Sequence, residues 1–169
     1  MIQIAPDNKL KITVGLGEMS VVTHESDAIL ACLGLGSCVG IAAIDKQSGV
    51  FGMAHIVLPD SGGRSTETKA KYADTGVPKL LEEMVANGAM KSRIQFKIAG
   101  GAQMALSNTS NPVFKIGERN IEAVAEAAAA AGVRVVSKEL GGSRGRTLRL
   151  DADSGKVFVS EAGSTPVEL

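Results

Sequence analysis

The sequence predicts an α+β fold, a layered α/β sandwich of mixed β-sheets with two to three helices. Three observations carry this. The first half of the chain is a series of short apolar or alternating runs joined by turn-forming residues. The second half interleaves two helical periods with further strands. Aromatic residues supply only 3% of a chain that is 44% hydrophobic, with no Trp, one Tyr and four Phe, so the core is aliphatic. Alternating runs bounded by Gly, Asn, Asp and Ser are hairpin signals, and strand-helix-strand order calls for helices layered on a sheet.

Met1 to Asn8 carries a Pro and no period, whereas Lys9 to Gly17 alternates as a strand, followed by a short run, Met19 to Thr23. His24-Glu25-Ser26-Asp27 is a polar turn. Ala28 to Leu33 is an apolar run that leads into the glycine-rich stretch Gly34-Leu35-Gly36-Ser37-Cys38-Val39-Gly40. Val39 to Ile44 and Val50 to Leu58 read as two strands of a hairpin, separated by the turn formers Asp45 to Gly49. Pro59 to Thr68 is a polar, Gly-rich surface loop, either a plain connector or a lid facing a substrate.

From Ala70 to Ala86 the period becomes helical, with Val77, Leu80, Leu81, Met84 and Val85 on one face. Pro78 fits best within a first turn, which sets the helix start near Asp74 or Thr75. Ile94 to Ala99 is a strand closed by Gly100-Gly101-Ala102. A second helix covers Ile116 to Ala131, with Ile121, Val124, Ala125, Ala128 and Ala129 on its apolar face and Gly132 as its stop. Val133 to Leu140, Thr147 to Asp151 and Lys156 to Ser160 complete the strands, and Glu161 to Leu169 reads as a frayed tail. The expected total is roughly eight to ten strands.

With 169 residues the chain reads as one domain, its core spanning about 10–159 and its termini less ordered. The 18 basic and 18 acidic residues cancel, which argues against nucleic acid or an anionic membrane surface as partner. No apolar run reaches the roughly 20 residues of a membrane span, so no direct membrane insertion is expected. The chain opens without a charged-then-apolar leader, and its two cysteines lie six positions apart rather than in a disulfide framework. Both point to a reducing cytoplasmic compartment.

Cys38 is the candidate nucleophile, because small neighbours let the backbone turn sharply and let amides flanking the thiol, at Gly36 and Ser37, aim at a developing oxyanion. The G-x-C-x-G spacing matches a hydrolase elbow, yet a strand and not a helix follows it, so the α/β-hydrolase fold is rejected. The dinucleotide fingerprint also fails, with Val39 where the third glycine belongs. His55 follows seventeen residues later on the neighbouring strand, within cross-strand reach of the thiol. Imidazole beside a thiol can take its proton and then protonate a leaving amine; a lone His in such a strand would otherwise be a core residue.

The His and Cys spacings give no zinc site, and no metal or cofactor is called for. Cys32 is either core packing or a partner for a regulatory disulfide with Cys38. Arg144, Arg146 and Arg149 with Lys138 make the C-terminal hairpin locally basic, as a solvated face or a dock for an acidic helical surface. Arg119 and Asn120 are placed to anchor the loop next to their helix through side-chain hydrogen bonds.

Leu33-Gly34-Leu35-Gly36-Ser37-Cys38-Val39-Gly40 with His55 resembles the CheD family, the chemoreceptor glutamine deamidases of bacterial and archaeal chemotaxis. The similarity continues through Tyr72-Ala73-Asp74, Gly100-Gly101-Ala102, Ile116-Gly117-Glu118-Arg119-Asn120 and Gly141-Gly142-x-x-Gly145-Arg146, with Gly100, Gly101, Arg119, Asn120 and Arg146 expected as structural or substrate-loop residues. The resemblance implies a single α/β sandwich domain related to toxin deamidases, with Cys38 as nucleophile and His55 as base. The family's third member is a Thr six residues before the cysteine, and that position is Cys32 here. A thiol is a weak acceptor, which leaves a backbone carbonyl as the alternative holder of the imidazole. The implied substrates are glutamines on the cytoplasmic helices of methyl-accepting chemoreceptors, and the implied second partner is a CheC-type phosphatase. The competing reading is a non-catalytic adaptor for receptor or phosphatase.

Overall fold

A computed structural model describes residues 2–4, 9–103 and 115–169. In chain order the strands are β1 (Ile2–Ile4), β2 (Leu10–Thr13), β3 (Met19–Thr23), β4 (Ala28–Leu35), β5 (Val39–Asp45) and β6 (Val50–Ile56). Then come α1 (Ala73–Ala86), β7 (Gln95–Gly100), α2 (Ile116–Ala130), β8 (Arg134–Leu140), β9 (Arg146–Asp151), β10 (Val157–Glu161) and β11 (Val167–Glu168). One sheet has six strands in the order β1-β2-β4-β9-β10-β11, the other five in the order β3-β6-β5-β7-β8. Both are mixed: β2 runs parallel to β4, and β7 parallel to β8, while the remaining pairs are antiparallel.

The layers follow from side-chain alternation along β5 and β6, both buried throughout. Val39, Ile41 and Ala43, with Val50, Ala54 and Ile56, pack under the helices against Val77, Leu80, Met84 and Val124. Ala42, Ile44, Phe51 and Met53 point the other way, onto Leu30, Leu148, Leu150 and Val157 of the six-stranded sheet. The order is helices, five-stranded sheet, six-stranded sheet. This is the layered α+β arrangement the sequence predicts.

Several boundaries move. Ile2–Ile4 pairs with β2 although the opening residues show no period. The strand read as ending at Leu33 continues to Leu35 through a bulge between Cys32 and Leu35, where Leu33 is exposed. The tail is not wholly frayed, since Val167–Glu168 pairs with β10. With these short edge pieces included, the described residues hold eleven strands and two α-helices.

α1 begins at Ala73, so Pro78 lies beyond the first turn; it sits on the exposed side, where water can take the carbonyl its ring leaves unpaired. The Asp74 carboxylate, in the first turn, accepts bonds from the Ser61 N–H and Oγ at 3.0 and 2.7 Å and ties the preceding loop to the helix. On α2 the buried stripe is Gly117, Asn120, Val124 and Ala128, while Ala125 and Ala129 are exposed. The expected face is therefore rotated toward a polar residue.

At the far end of β5, Asp45 is 1% exposed and closes the hairpin turn onto the Lys91–Arg93 turn. It accepts from the Met90 N–H at 2.8 Å and from Arg93 Nε at 3.1 Å. Burial works to raise its pKa, but Arg93, the Met90 N–H and Ser48 outweigh that and hold it down at about 2. Because the folded value lies below the unfolded one, this stabilisation is complete above the ordinary carboxylate range and is lost as pH falls through about 2. Asp45→Asn is expected to cost roughly 3 kcal/mol in urea unfolding at pH 7, with the gap to wild type closing in strong acid.

Candidate active site

The hairpin register opposes Gly40 to His55. Alternation then aims His55 toward the six-stranded sheet, on the side of Phe51 and Met53, and Cys38 packs into the same inter-sheet cluster. A Cβ on Gly40 would lie 2.9 Å from Leu35 and 3.5 Å from the Cys32 Cβ, so the residue facing His55 has room only for a hydrogen. Nucleophile candidate and imidazole thus share the gap between the sheets at the end where β5 begins.

His55 is 3% exposed, and its Nδ1–H donates to the Val14 carbonyl at 3.0 Å. A carbonyl only accepts, so this bond selects the tautomer with the proton on Nδ1 and the lone pair on Nε2. Nε2 is buried with no hydrogen-bond partner among the described residues. Burial lowers the His55 pKa, and the Val14 carbonyl and Glu18 only partly offset it, so the ring is neutral at pH 7. The backbone fixes the strand as well: Gly17 N–H bonds to the His55 carbonyl and His55 N–H to the Glu18 carbonyl, each at 3.0 Å.

Cys38 is half-buried, and burial raises its pKa while its own backbone N–H works to lower it. At rest both groups are uncharged, a thiol and a neutral imidazole, and no hydrogen bond joins Nε2 to the thiol. Cys32 is fully buried, and burial drives its thiol pKa far up. Its Sγ–H points to the Ala54 carbonyl at 3.8 Å, while the His55 Nδ1–H goes to Val14. The backbone carbonyl therefore occupies the orienting position considered for Cys32.

The Gly36-Ser37-Cys38 loop is held from behind. Gly101 N–H bonds to the Cys38 carbonyl at 2.8 Å and Ala102 N–H to the Gly36 carbonyl at 2.7 Å. Gly100 has φ +116°, and a Cβ there would come within 2.2 Å of the Cys38 oxygen, so only glycine lets β7 approach this closely. Asn120 Nδ2 donates to the Ser37 and Val57 carbonyls, both at 2.9 Å.

Arg146 is not part of a basic surface: it is 4% exposed, with its guanidinium on the Glu139, Gly141 and Arg144 carbonyls, where it shapes the Gly141-Gly142 turn. That turn receives Gln103 N–H and gives Gly141 N–H to Gly100, which braces the glycine pair under Cys38. Arg119 is exposed and lines a groove of about 890 Å³ between α1 and α2, with Leu81, Val85 and Ala127. Neither Cys38 nor His55 lines that groove. Val14 and Glu18 went unnoticed in the sequence; the Gly15-Leu16-Gly17 turn that returns the chain beside His55 was the available signal.

Fold and site together define a two-sheet α+β protein with a half-buried thiol and a buried neutral imidazole between its sheets. The chain belongs to the CheD family. The family model described as CheD chemotactic sensory transduction matches residues 57–161. Along nearly its whole length the chain is similar to a probable chemoreceptor glutamine deamidase CheD of Symbiobacterium thermophilum, 46% identical over 96% of this chain and 99% of the relative. It is likewise similar to the chemoreceptor glutamine deamidase CheD of Thermotoga maritima, 40% identical over 91% of this chain and 94% of the relative. Among solved structures, the C-terminal domain of CNFy from Yersinia pseudotuberculosis covers 95% of this chain and 62% of its own at 8% identity, with a TM-score of 0.39.

Proposed function

We propose that this chain is a chemoreceptor glutamine deamidase, a protein-glutamine glutaminase of chemotaxis that works by thiol acyl transfer from Cys38 with His55 as base. The observation that carries the reading is the His55 ring, whose Nδ1–H is committed to Val14 while the buried Nε2 keeps an unshared pair with no hydrogen-bond partner among the described residues. Nε2 takes the Cys38 proton as Sγ attacks the glutamine side-chain carbonyl carbon. The tetrahedral oxyanion is held by backbone N–H groups of the Gly36-Ser37-Cys38 loop. Collapse breaks the C–N bond, and ammonia leaves with the proton from the imidazolium. Water, deprotonated by the same nitrogen, hydrolyses the thioester to glutamate and restores the thiol.

The substrates are glutamines on receptor cytoplasmic helices, which places the enzyme in the cytoplasm. No described helix is long and apolar enough to cross a membrane. The relatives' names support the receptor as substrate. A CheC-type phosphatase is the second partner, and Cys32 acts through packing beneath the loop. The reaction requires no cofactor. Each conversion puts a negative charge on a neutral helix position and changes helix packing there.

The test is peptide-resolved mass spectrometry of a chemoreceptor cytoplasmic fragment incubated with the protein. Conversion at discrete glutamines, with free glutamine left untouched, is the expected result. Binding of the fragment without any conversion would replace the enzyme by the adaptor.

A further inference from the structure

Three consecutive carbonyls, those of Gly36, Ser37 and Cys38, are all bonded. The outer two accept backbone N–H groups from Ala102 and Gly101, which form part of the strand-end turn. The middle one has no backbone donor among the described residues and is bonded by one side chain, Asn120, which reaches it across 83 residues of sequence. Asn120 is fully buried on the inner stripe of an alanine-rich helix, where polar residues are costly unless bonded. Among the described residues its Oδ1 has no partner, and its two donated bonds are what hold it there. The helix comes close enough because Gly117 precedes it by one turn; a Cβ there would lie 2.6 Å from the Ala102 oxygen.

A trans peptide is planar, with its C=O and N–H pointing in opposite directions. Whatever pins the Ser37 carbonyl therefore aims the Cys38 N–H. That N–H donates to no other residue's carbonyl among the described residues. When Sγ adds to an amide carbon, the oxygen that becomes negative is within reach of the N–H on the nucleophile's own residue, a familiar geometry of thiol and hydroxyl acyl transfer.

We infer that Asn120 is a positioning residue for the reaction: by holding the Ser37 and Val57 carbonyls together it orients the Cys38 N–H as an oxyanion donor. The inference rests on the proposed thiol acyl transfer. It gives Asn120 a role in the transition state that a clamp needed only for folding would not have.

The experiment compares wild type with Asn120→Ala and Asn120→Gln in two reactions. Receptor-fragment deamidation needs the oxyanion donor, whereas alkylation of Cys38 by iodoacetamide needs only the thiol and its base. The expected result for folded Asn120→Ala is a kcat lower by roughly 10²- to 10³-fold with KM little changed. Alkylation of Cys38 should stay within about twofold of wild type, and Asn120→Gln should recover part of the kcat. Parallel loss of both reactions, or no loss of either, would overturn the assignment.

If neither variant folds, the wild type decides. A small aliphatic aldehyde adds the Cys38 thiol, its carbon bonding to Sγ and its oxygen taking the proton, and the new oxygen sits where the oxyanion would. A downfield move of the Cys38 amide proton is expected, and an unmoved resonance would overturn the inference. Rapid alkylation of Cys38 without any deamidation by wild type would instead sink the deamidase reading beneath it.

Discussion

Cys38→Ala is expected to leave no measurable glutamine conversion, a loss of at least about 10³-fold, while the protein keeps its fold and still binds the receptor fragment. The size of the loss follows from chemistry, since the acyl intermediate forms on the Cys38 sulfur and alanine has no nucleophile to replace it. Cys32 cannot substitute: it is fully buried with its Sγ–H on the Ala54 carbonyl, and its thiol resists ionisation. The fold survives because the substitution removes one half-buried sulfur and leaves intact the three carbonyl bonds that hold the loop. Peptide-resolved mass spectrometry measures the conversion and fragment pull-down the binding. Residual conversion above one-tenth of wild type would assign the chemistry elsewhere.

His55→Gln is expected to lower kcat/KM by about 10²- to 10⁴-fold, the usual contribution of a positioned general base. Glutamine can still donate to the Val14 carbonyl, so strand and loop geometry are preserved while the proton acceptor disappears. The pH profile separates this from a packing effect. Burial sets the His55 pKa below its ordinary value, so the wild-type rate should stay level through neutrality and fall only in acid below about 6.5. Stability moves in the same direction: the unfolded chain binds the proton more readily than the folded one, so protonation in that range favours unfolding. In His55→Gln that acid limb should vanish. The residual rate should rise in alkali as the Cys38 thiol ionises, above the ordinary thiol range because burial raises it.

The β5–β6 hairpin was legible because both strands are apolar throughout and the loop between them, Asp45 to Gly49, consists of turn formers. Both helices were legible from their period, although the buried stripe of α2 was placed too far toward Ala125 and Ala129. Alanines carry little directional signal, and the polar residue on the true stripe, Asn120, is the one a hydrophobicity pattern discards. The basic-hairpin reading puts Arg146 at the surface for the same reason, since composition favours exposed arginine and its buried role depends on how the turn just before it folds its carbonyls onto the guanidinium. That a backbone carbonyl holds the imidazole is an alternative the sequence offers, but which residue supplies it is not legible there. Any residue has one, and only the crossing of the chain from β2 into β3 brings that of Val14 to His55. The thiol and imidazole are side-chain chemistry and stand out in sequence, whereas what holds them is backbone geometry.

That crossing also bears on how the protein comes to be active. The bonds that orient the reacting groups join residues 41, 63 and 83 positions apart, and they draw on the six-stranded sheet's connection, the hairpin and the second helix at once. Contacts so distant in sequence raise the contact order and form late, after the loop-closure entropy between them has been overcome. Helical signal and collapse should accordingly recover first when the chain refolds from urea, and turnover last. The enzyme comes off its folding pathway inert until the final docking of its layers, so a half-folded chain carries a cysteine but not a catalyst.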